Sequence, residues 1–168
     1  MIIGYGNPGA KFVLSSRNAA YIVLDAAVFK AVNIFPGTMS REWTIKSKYM
    51  LIPTNPDPLT IIVKPRTYED RFDDVAYALY SFYNIAPSNF YIVYPDSNLP
   101  LGEYEVGRNE GAAPENIRKI ATRIGSHDYW KVRIGIKGAG EEFIDTERAL
   151  MRHLGEKLAD EIGIAPST

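Results

Sequence analysis

Apolar and polar positions along the chain alternate in a way that predicts strands and helices in turn. Residues 2–3 are a short apolar segment that leads into a glycine-rich turn, and residues 90–94 are a continuous apolar run typical of a buried central strand. Helices are expected where apolar residues recur every three or four positions, namely at residues 18–31, 73–84, 114–124 and 146–162.

The remaining strands are predicted from composition and from turn residues. Residues 43–51 and 59–63 are rich in β-branched and aromatic residues and together indicate a hairpin. Between them, residues 53–58 include prolines, which donate no ladder hydrogen bond, so we expect a loose loop there. Two short strands are expected at residues 103–106 and 132–136, and residues 95–102 are expected to be a loop.

Strands that alternate with helices imply an α/β fold. We expect a single domain over residues 1–168, with a twisted, mixed and mostly parallel sheet covered by helices on both faces. Ligands of such sheets bind beyond the carboxyl ends of the strands. The loops after Ile3, Val63 and Tyr94 are therefore the expected places for a site.

Charge and cysteine content narrow the classes of function. The chain has 19 Lys and Arg against 20 Asp and Glu, and proteins that only bind nucleic acid are more basic, so DNA binding is not expected. The absence of cysteine excludes disulfides, thiolate metal sites and a cysteine nucleophile. No apolar run reaches the ~20 residues of a membrane span, and the first residues lack the basic start of a signal peptide. We expect a monomer in the cytoplasm.

Several motifs together resemble those of bacterial peptidyl-tRNA hydrolases. Residues 4–9 (GYGNPG) resemble the G-L-G-N-P-G opening of that family, residues 64–68 (KPRTY) its K-P-x-T-Y segment, and residues 133–136 (RIGI) its R-I-G-I strand. Residues 99–102 resemble the L-P-P-G turn, and Asn18 with the following helix resembles the H-N-V-G-F stretch. Order and spacing fit up to about residue 138, after which the match fades and the C-terminal section is shorter.

The resemblance implies a known chemistry. The family cleaves the ester bond between a peptide and the 3′ end of tRNA, on a hydrolase-like α/β scaffold. It implies a histidine base that activates water, an aspartate that orients this base, and asparagines that hold the substrate and the oxyanion. A general base must titrate near neutral pH, as histidine does. No cofactor and no metal are implied.

The chain departs from the family where the base is expected. The family's H-N pair is Arg17-Asn18 in this sequence, and arginine stays protonated and cannot accept a proton from water. The family's H-D-[DE]-L-D-L-P segment corresponds to residues 94–100 (YPDSNLP), which puts Pro95 at the position of the orienting aspartate. Asp96, one residue along, could substitute for it only if the loop shifts.

The substrate-holding positions are altered as well. The family's Y-M-N is Tyr68-Glu69-Asp70 in this sequence, and its G-G-H-N-G stretch corresponds to residues 112–116 (AAPEN). Glu115 thus aligns with the oxyanion-holding asparagine, and Asn116 lies one step away. We expect the substituted acids to make the cleft acidic and to repel phosphates over a Debye length of ~8 Å. These acids are Glu69, Asp70, Asp96 and Glu115.

The sequence therefore supports three hypotheses. The first is a catalytically degenerate relative whose cleft binds a peptide, a protein partner or an altered ligand. The alternative is a divergent active peptidyl-tRNA hydrolase that uses a carboxylate as its base. The third is hydrolysis or binding of a different acyl or peptide substrate, with or without a metal. The catalytic candidates are Asn7, Asp96 and Glu115, and the substrate-binding candidates are Asn7, Arg17, Tyr68, Asp70, Asn116 and Arg133. Asn7 also suits a tight turn, and Arg17 also suits a simple ion pair with an acid.

Overall fold

The computed structural model describes residues 1–34, 42–56, 59–108 and 113–163, and within these ranges the centre is one seven-stranded sheet. The strands are β1 (Ile2–Gly4), β2 (Thr44–Ile45), β3 (Tyr49–Pro56), β4 (Leu59–Pro65), β5 (Tyr91–Pro100), β6 (Tyr104–Gly107) and β7 (Trp130–Lys137). Their order is β2-β3-β4-β1-β5-β7-β6. The four central strands run parallel, and β2, β3 and β6 are antiparallel to their neighbours.

Helices cover both faces of this sheet, as the sequence predicts. The helices are α1 (Ala19–Ile34), α2 (Phe72–Phe82), α3 (Glu115–Ile124) and α4 (Asp145–Glu161). Helices α1 and α4 pack on one face, and α2 and α3 pack on the other. Short 3₁₀ turns at Ser16–Asn18 and Glu69–Arg71 precede α1 and α2. The predicted α/β fold is confirmed.

Alternate residues of the central strands supply the two halves of the core. In β5, Val93 is buried against α1 and α4, whereas Ile92 and Tyr94 are buried against α2 and α3. Successive side chains of a strand point to opposite faces. This alternation also decides on which face the polar residues at the end of β5 lie.

Helices α1 and α4 approach each other closely at Gly155. A Cβ built at this position would lie 2.3 Å from the carbonyl oxygen of Val23. Any larger residue would therefore push the two helices apart. The contact fixes α4 beside the helix that directly follows Arg17 and Asn18.

The hairpin prediction is correct in outline and wrong in detail. Residues 43–51 are two strands, β2 and β3, and not one, because the chain turns between Ile45 and Tyr49. The ladder between β3 and β4 also continues through the proline-rich segment to Pro56, with an irregularity after Pro53. Strand β2 pairs with Met50 and Leu51, and among the described residues the rest of β3 has no partner on that side, so it is an edge, where proline is tolerated. Residues 57–58 lie outside the described residues.

The predicted loop at residues 95–102 is largely strand. Strand β5 continues to Pro100, and its ladder with β7 pairs Asp96 with Gly135. Strand β1 ends opposite Val93, so one side of β5 has no strand partner beyond that point among the described residues. Pro95 can therefore lie in the strand without removing a ladder bond. As a result, Asp96 belongs to the sheet and not to a mobile turn.

Candidate functional site at the carboxyl end of β1

The turn after β1 is held by the side chain of Asn18. The backbone N–H of Asn7 donates to Oδ1 of Asn18 at 2.9 Å, and Nδ2 of Asn18 donates to the carbonyl oxygen of Asn7 at 2.8 Å. Both residues are buried. The Asn18 side chain thus bonds Asn7 and not the first turn of α1. Ser15 caps the 3₁₀ turn that precedes α1, since its hydroxyl accepts from the N–H of Arg17 at 3.2 Å.

Two asparagines hold the backbone of Glu69 in place. Oδ1 of Asn7 accepts from the N–H of Glu69 at 3.0 Å, and Nδ2 of Asn116 donates to the Glu69 carbonyl oxygen at 2.9 Å. The segment after β4 is thereby tied to the turn after β1 and to the first turn of α3. Two of the three loops that the sequence singled out, those after Ile3 and Val63, thus meet at Glu69.

Arg17 lies at the mouth of this cluster and faces Glu69. Its guanidinium is 3.7 Å from the Glu69 carboxylate, and its side chain is 68% exposed. The acid that pairs with Arg17 is therefore Glu69, and not Asp70 or Glu115. A protonated guanidinium at this position can bind an anion but cannot remove a proton from water.

Tyr5 lies beneath the same cluster and packs edge-on against Phe72. Burial and the negative charge of Glu69 raise the pKa of the Tyr5 hydroxyl to about 12, against the opposing effects of a hydrogen bond with Asn116 and the charge of Arg17. The hydroxyl is therefore neutral at physiological pH. It acts here as a hydrogen-bond partner for Asn116 and not as a base.

Asp96 lies near the end of β5, on the face of the sheet that α2 and α3 cover. It follows Tyr94 by two residues and therefore shares its face. Its carboxylate accepts from the N–H of Asn98 and from the guanidinium of Arg133, each at 2.8 Å. Pro95 pairs with Ile134, which belongs to the core on the α1 side. Pro95, which stands where the resemblance implies the orienting aspartate, therefore faces α1, and its ring makes no hydrogen bond.

Arg133 is engaged by two carboxylates. Besides Asp96, its guanidinium binds Glu105 on the neighbouring strand β6. The Asp96 side chain is 4% exposed, so this pair is mostly shielded from water. A phosphate could reach the guanidinium only by competing with these acids.

The remaining candidates are spread around the mouth of the site. Tyr68 is exposed and contacts Phe12 edge-on, with 6.1 Å between the ring centroids. Asp70 is exposed beside it. Glu115 points outward, at 3.5 Å from Lys119 in its own helix, and only its neighbour Asn116 enters the cluster.

Most of the acids that the sequence expected to make the cleft acidic lie beside cations. Asp96 accepts from Arg133, Glu69 lies 3.7 Å from Arg17, and Glu115 lies 3.5 Å from Lys119. Their charges are therefore largely balanced by neighbouring side chains.

A groove extends from the Asn7 turn along the outer side of α1. It has a volume of about 730 Å³ and is bounded by α4 on one side and by β3 and β4 on the other. We call it the α1 groove. Asn18, just before α1, and one stripe of α1 line it; the residues of the stripe are Tyr21, Ile22, Asp25, Ala26 and Phe29. Asn7 lines the end of the groove, so the site and the groove are continuous.

Tyr21 joins the site to the sheet. Its hydroxyl donates to the carbonyl oxygen of Pro65 at 2.7 Å, and burial raises the pKa of this hydroxyl. Its ring lies so close to Gly4 and Gly6 that a Cβ on either glycine would come within about 3.1 Å of it. The two glycines are therefore needed for α1 to approach β1.

Sequence reasoning missed the central position of Glu69 and the bracing role of Asn18. Glu69 was considered only as one of several acids, because a motif shows which residues are present and not which backbone groups they bind. The signal for Asn18 was its place in the H-N motif.

Among the described residues, no cluster of three or more potential metal-binding side chains forms, and no helix there is long and apolar enough to span a bilayer.

Comparisons with known proteins agree with this architecture. A sequence model of the family described as peptidyl-tRNA hydrolase matches residues 1–159. The peptidyl-tRNA hydrolase of Chlamydia abortus is 26% identical, over 98% of this chain and 87% of its own length. That of Oleidesulfovibrio alaskensis is 29% identical, over 81% of this chain and 70% of its own length.

A solved structure shows the same fold. The crystal structure of peptidyl-tRNA hydrolase from Acinetobacter baumannii superposes with a TM-score of 0.75 at 20% sequence identity, over 96% of this chain and 85% of that one. The likeness in structure agrees with the match in sequence, which covers nearly the whole chain. The chain belongs to the peptidyl-tRNA hydrolase family.

Proposed function

We propose that this protein has lost, or nearly lost, hydrolysis of the peptidyl-tRNA ester and that it uses the retained cleft to bind a peptide, a protein partner or an altered ligand. The observation that carries the proposal is the pair of Arg17 and Glu69 at the mouth of the site. A guanidinium stands where the resemblance implies a histidine, and it is held beside a carboxylate.

The orienting position supports the same proposal. A histidine base works when a third group fixes its ring and stabilises its charge. Pro95 occupies that position and has no hydrogen-bonding side chain. Restoring the base alone would therefore restore only part of the original arrangement.

The acids that could replace the base are poorly placed for the task. Asp96 is bonded to Arg133, and Glu115 lies beside Lys119 in solvent. A base must come within hydrogen-bond reach of the attacking water. Asn7, the residue that the motifs retain most clearly, bonds to Asn18 and Glu69 instead.

A divergent active hydrolase is the second candidate, and one observation favours it. The bonds from Asn7 and Asn116 to the backbone of Glu69 fix the start of the acidic segment Glu69-Asp70 next to the site. A carboxylate there becomes a stronger base if substrate binding removes it from water. In this form of the hypothesis, Asp70 is the preferred base, because Glu69 already pairs with Arg17.

The ligand class follows from the family and from the site. Relatives carry the name peptidyl-tRNA hydrolase, which supports peptidyl-tRNA, or its peptide portion, as a ligand of this chain. The engagement of Arg133 by Asp96 and Glu105 favours the peptide portion over the phosphates. We further propose that the protein acts as a cytoplasmic monomer in translation, which size-exclusion chromatography with light scattering tests in part.

The deciding experiment is turnover of a labelled peptidyl-tRNA by the purified protein. We expect no cleavage above background by the native chain, and a measurable gain by Arg17→His. Arg118→His, on exposed surface of α3, is the matched control and should gain nothing. Clear cleavage by the native protein that Asn7→Ala abolishes would overturn the proposal, and loss of that cleavage in Asp70→Asn would support the second candidate.

A further inference from the structure

The α1 groove exposes two large apolar side chains at separate places along its floor. Val13 is 60% exposed and Phe29 is 70% exposed, and both line the groove. The stripe of α1 from Asn18 to Phe29 is about 16 Å long at 1.5 Å per residue. Between these ends, the floor includes Ile22 and Ala26. Apolar surface in a continuous concave strip is typical of a binding site.

The charges along the groove do not cancel. Lys64 is paired with Asp25 at 2.6 Å, and Glu156 lies 3.9 Å from His153, which balances it only when protonated; three cations thus face two carboxylates. Arg66 donates only to a backbone carbonyl, that of Lys46 at 2.7 Å. In the ranges that the structure covers, neither Arg66 nor Arg152 forms an ion pair, and both line the groove. Two guanidiniums are therefore available on its walls, one beside β4 and one on α4.

From these features we propose that the α1 groove binds a short extended peptide segment that carries both apolar and carboxylate side chains. An extended chain of about five residues spans the length of the stripe, at roughly 3.3 Å per residue. Its apolar side chains cover Val13 and Phe29, and its carboxylates bind Arg66 and Arg152. Guanidinium groups bind carboxylates in paired hydrogen bonds, which selects acidic over basic segments.

This proposal does not depend on whether the protein hydrolyses peptidyl-tRNA. The groove adjoins the site at Asn7 and Asn18, but its arginines are separate from Arg17 and Arg133. An active enzyme and an inactive one can bind a peptide here equally well. The outcome of the cleavage assay therefore neither supports nor weakens it.

The test is a titration of the ¹⁵N-labelled full chain with the peptide Glu-Leu-Ala-Phe-Asp, acetylated and amidated so that its termini carry no charge. The comparison peptide has lysine in place of both acids. We expect the acidic peptide to bind at least tenfold more tightly and to shift the amide signals of α1 and α4 around Phe29 and Ala149. Binding should weaken as salt is added.

Variants separate the groove from nonspecific attraction. We expect Arg152→Glu to weaken binding about tenfold and Phe29→Ala to weaken it about fivefold. Arg118→Glu, on the opposite side of the sheet, should have no effect. Because the substituted side chains are exposed, the fold should survive, and the dispersion of the NMR spectrum checks this.

Several outcomes would overturn the proposal. Equal binding of the two peptides, no binding at millimolar concentration by the folded chain, or signal shifts confined to other surfaces would each do so. A single-stranded pentaribonucleotide that binds the groove more tightly than the acidic peptide would assign the two arginines to phosphate instead.

Discussion

The side chain of Asn18 forms a closed ring of two hydrogen bonds with the backbone of Asn7, accepting from its N–H at 2.9 Å and donating to its carbonyl oxygen at 2.8 Å. The ring joins the start of α1 to the turn after β1. Asn7 in turn accepts the N–H of Glu69 through its own side chain. A single amide side chain thereby positions the residue that organises the rest of the site.

Removal of this amide should destabilise the protein. Asn18→Ala leaves both backbone groups of Asn7 without a partner in a buried place, and each such group costs about 1–3 kcal/mol. We expect the free energy of unfolding in urea to fall by about 2–4 kcal/mol. Asn98→Ala, which removes an exposed side chain of the same type, should change it by less than about 0.5 kcal/mol. Equal effects of the two substitutions would contradict the bracing role.

The charge of Glu69 should be detectable in the titration of Tyr5. Burial raises the pKa of Tyr5 to about 12, and the Glu69 carboxylate contributes to this rise. We expect Glu69→Gln to lower the pKa of Tyr5, as measured by absorbance at 295 nm in the difference between each protein and its Tyr5→Phe counterpart. Glu115→Gln, which removes an outward-facing acid, is the control.

The same pKa shift fixes the direction of a pH effect on stability. The folded-state pKa of Tyr5 is raised above its ordinary value of 10.0, so its contribution is fully present below pH 10 and is lost as the pH rises towards about 12. Tyr5→Phe should therefore lose less stability than the native chain over this interval. Parallel unfolding curves for the two proteins between pH 9 and 11.5 would contradict the assignment.

Replacing Arg133 alone should lower the free energy of unfolding more than replacing Arg133 and Asp96 together. Arg133→Met leaves the carboxylate of Asp96, which is 4% exposed, without its cation, and a broken buried pair costs about 3–5 kcal/mol. Because the Arg133 side chain is 26% exposed, we expect the lower part of this range. The double variant Arg133→Met with Asp96→Asn should recover part of the loss. Strictly additive losses in denaturant unfolding would show that the two side chains are not coupled.

A methyl group at the contact between α1 and α4 should force the helices apart. Gly155→Ala places a Cβ 2.3 Å from the carbonyl oxygen of Val23, and such overpacking costs about 1–3 kcal/mol. Gly107→Ala, where a Cβ meets nothing within 4 Å, is the matched control. Thermal unfolding should show a lower midpoint for the first variant only. If both glycines tolerate alanine equally, the two helices are less tightly packed than the structure shows.

Local patterns predicted most of the elements but not their ends. The period of the apolar residues placed α2 and α4 within a few positions, because each helix buries one stripe against the sheet. The same reasoning ended β5 at Tyr94, since Pro95 normally interrupts a ladder. Pairing with β7 on one side, and no strand partner on the other among the described residues, let the strand continue.

The sequence alone determined the family, the order of the elements and the arginine at position 17, where the resemblance implies a histidine. All three can be read from which residues occur and in what order, because motifs consist of nothing else. Tertiary structure alone decided that Asp96 faces Arg133, that Glu115 faces solvent and that Glu69 pairs with Arg17. The direction of each side chain depends on strand alternation and on the pairing of segments far apart in the chain. A one-residue change of register reverses the face on which an acid lies.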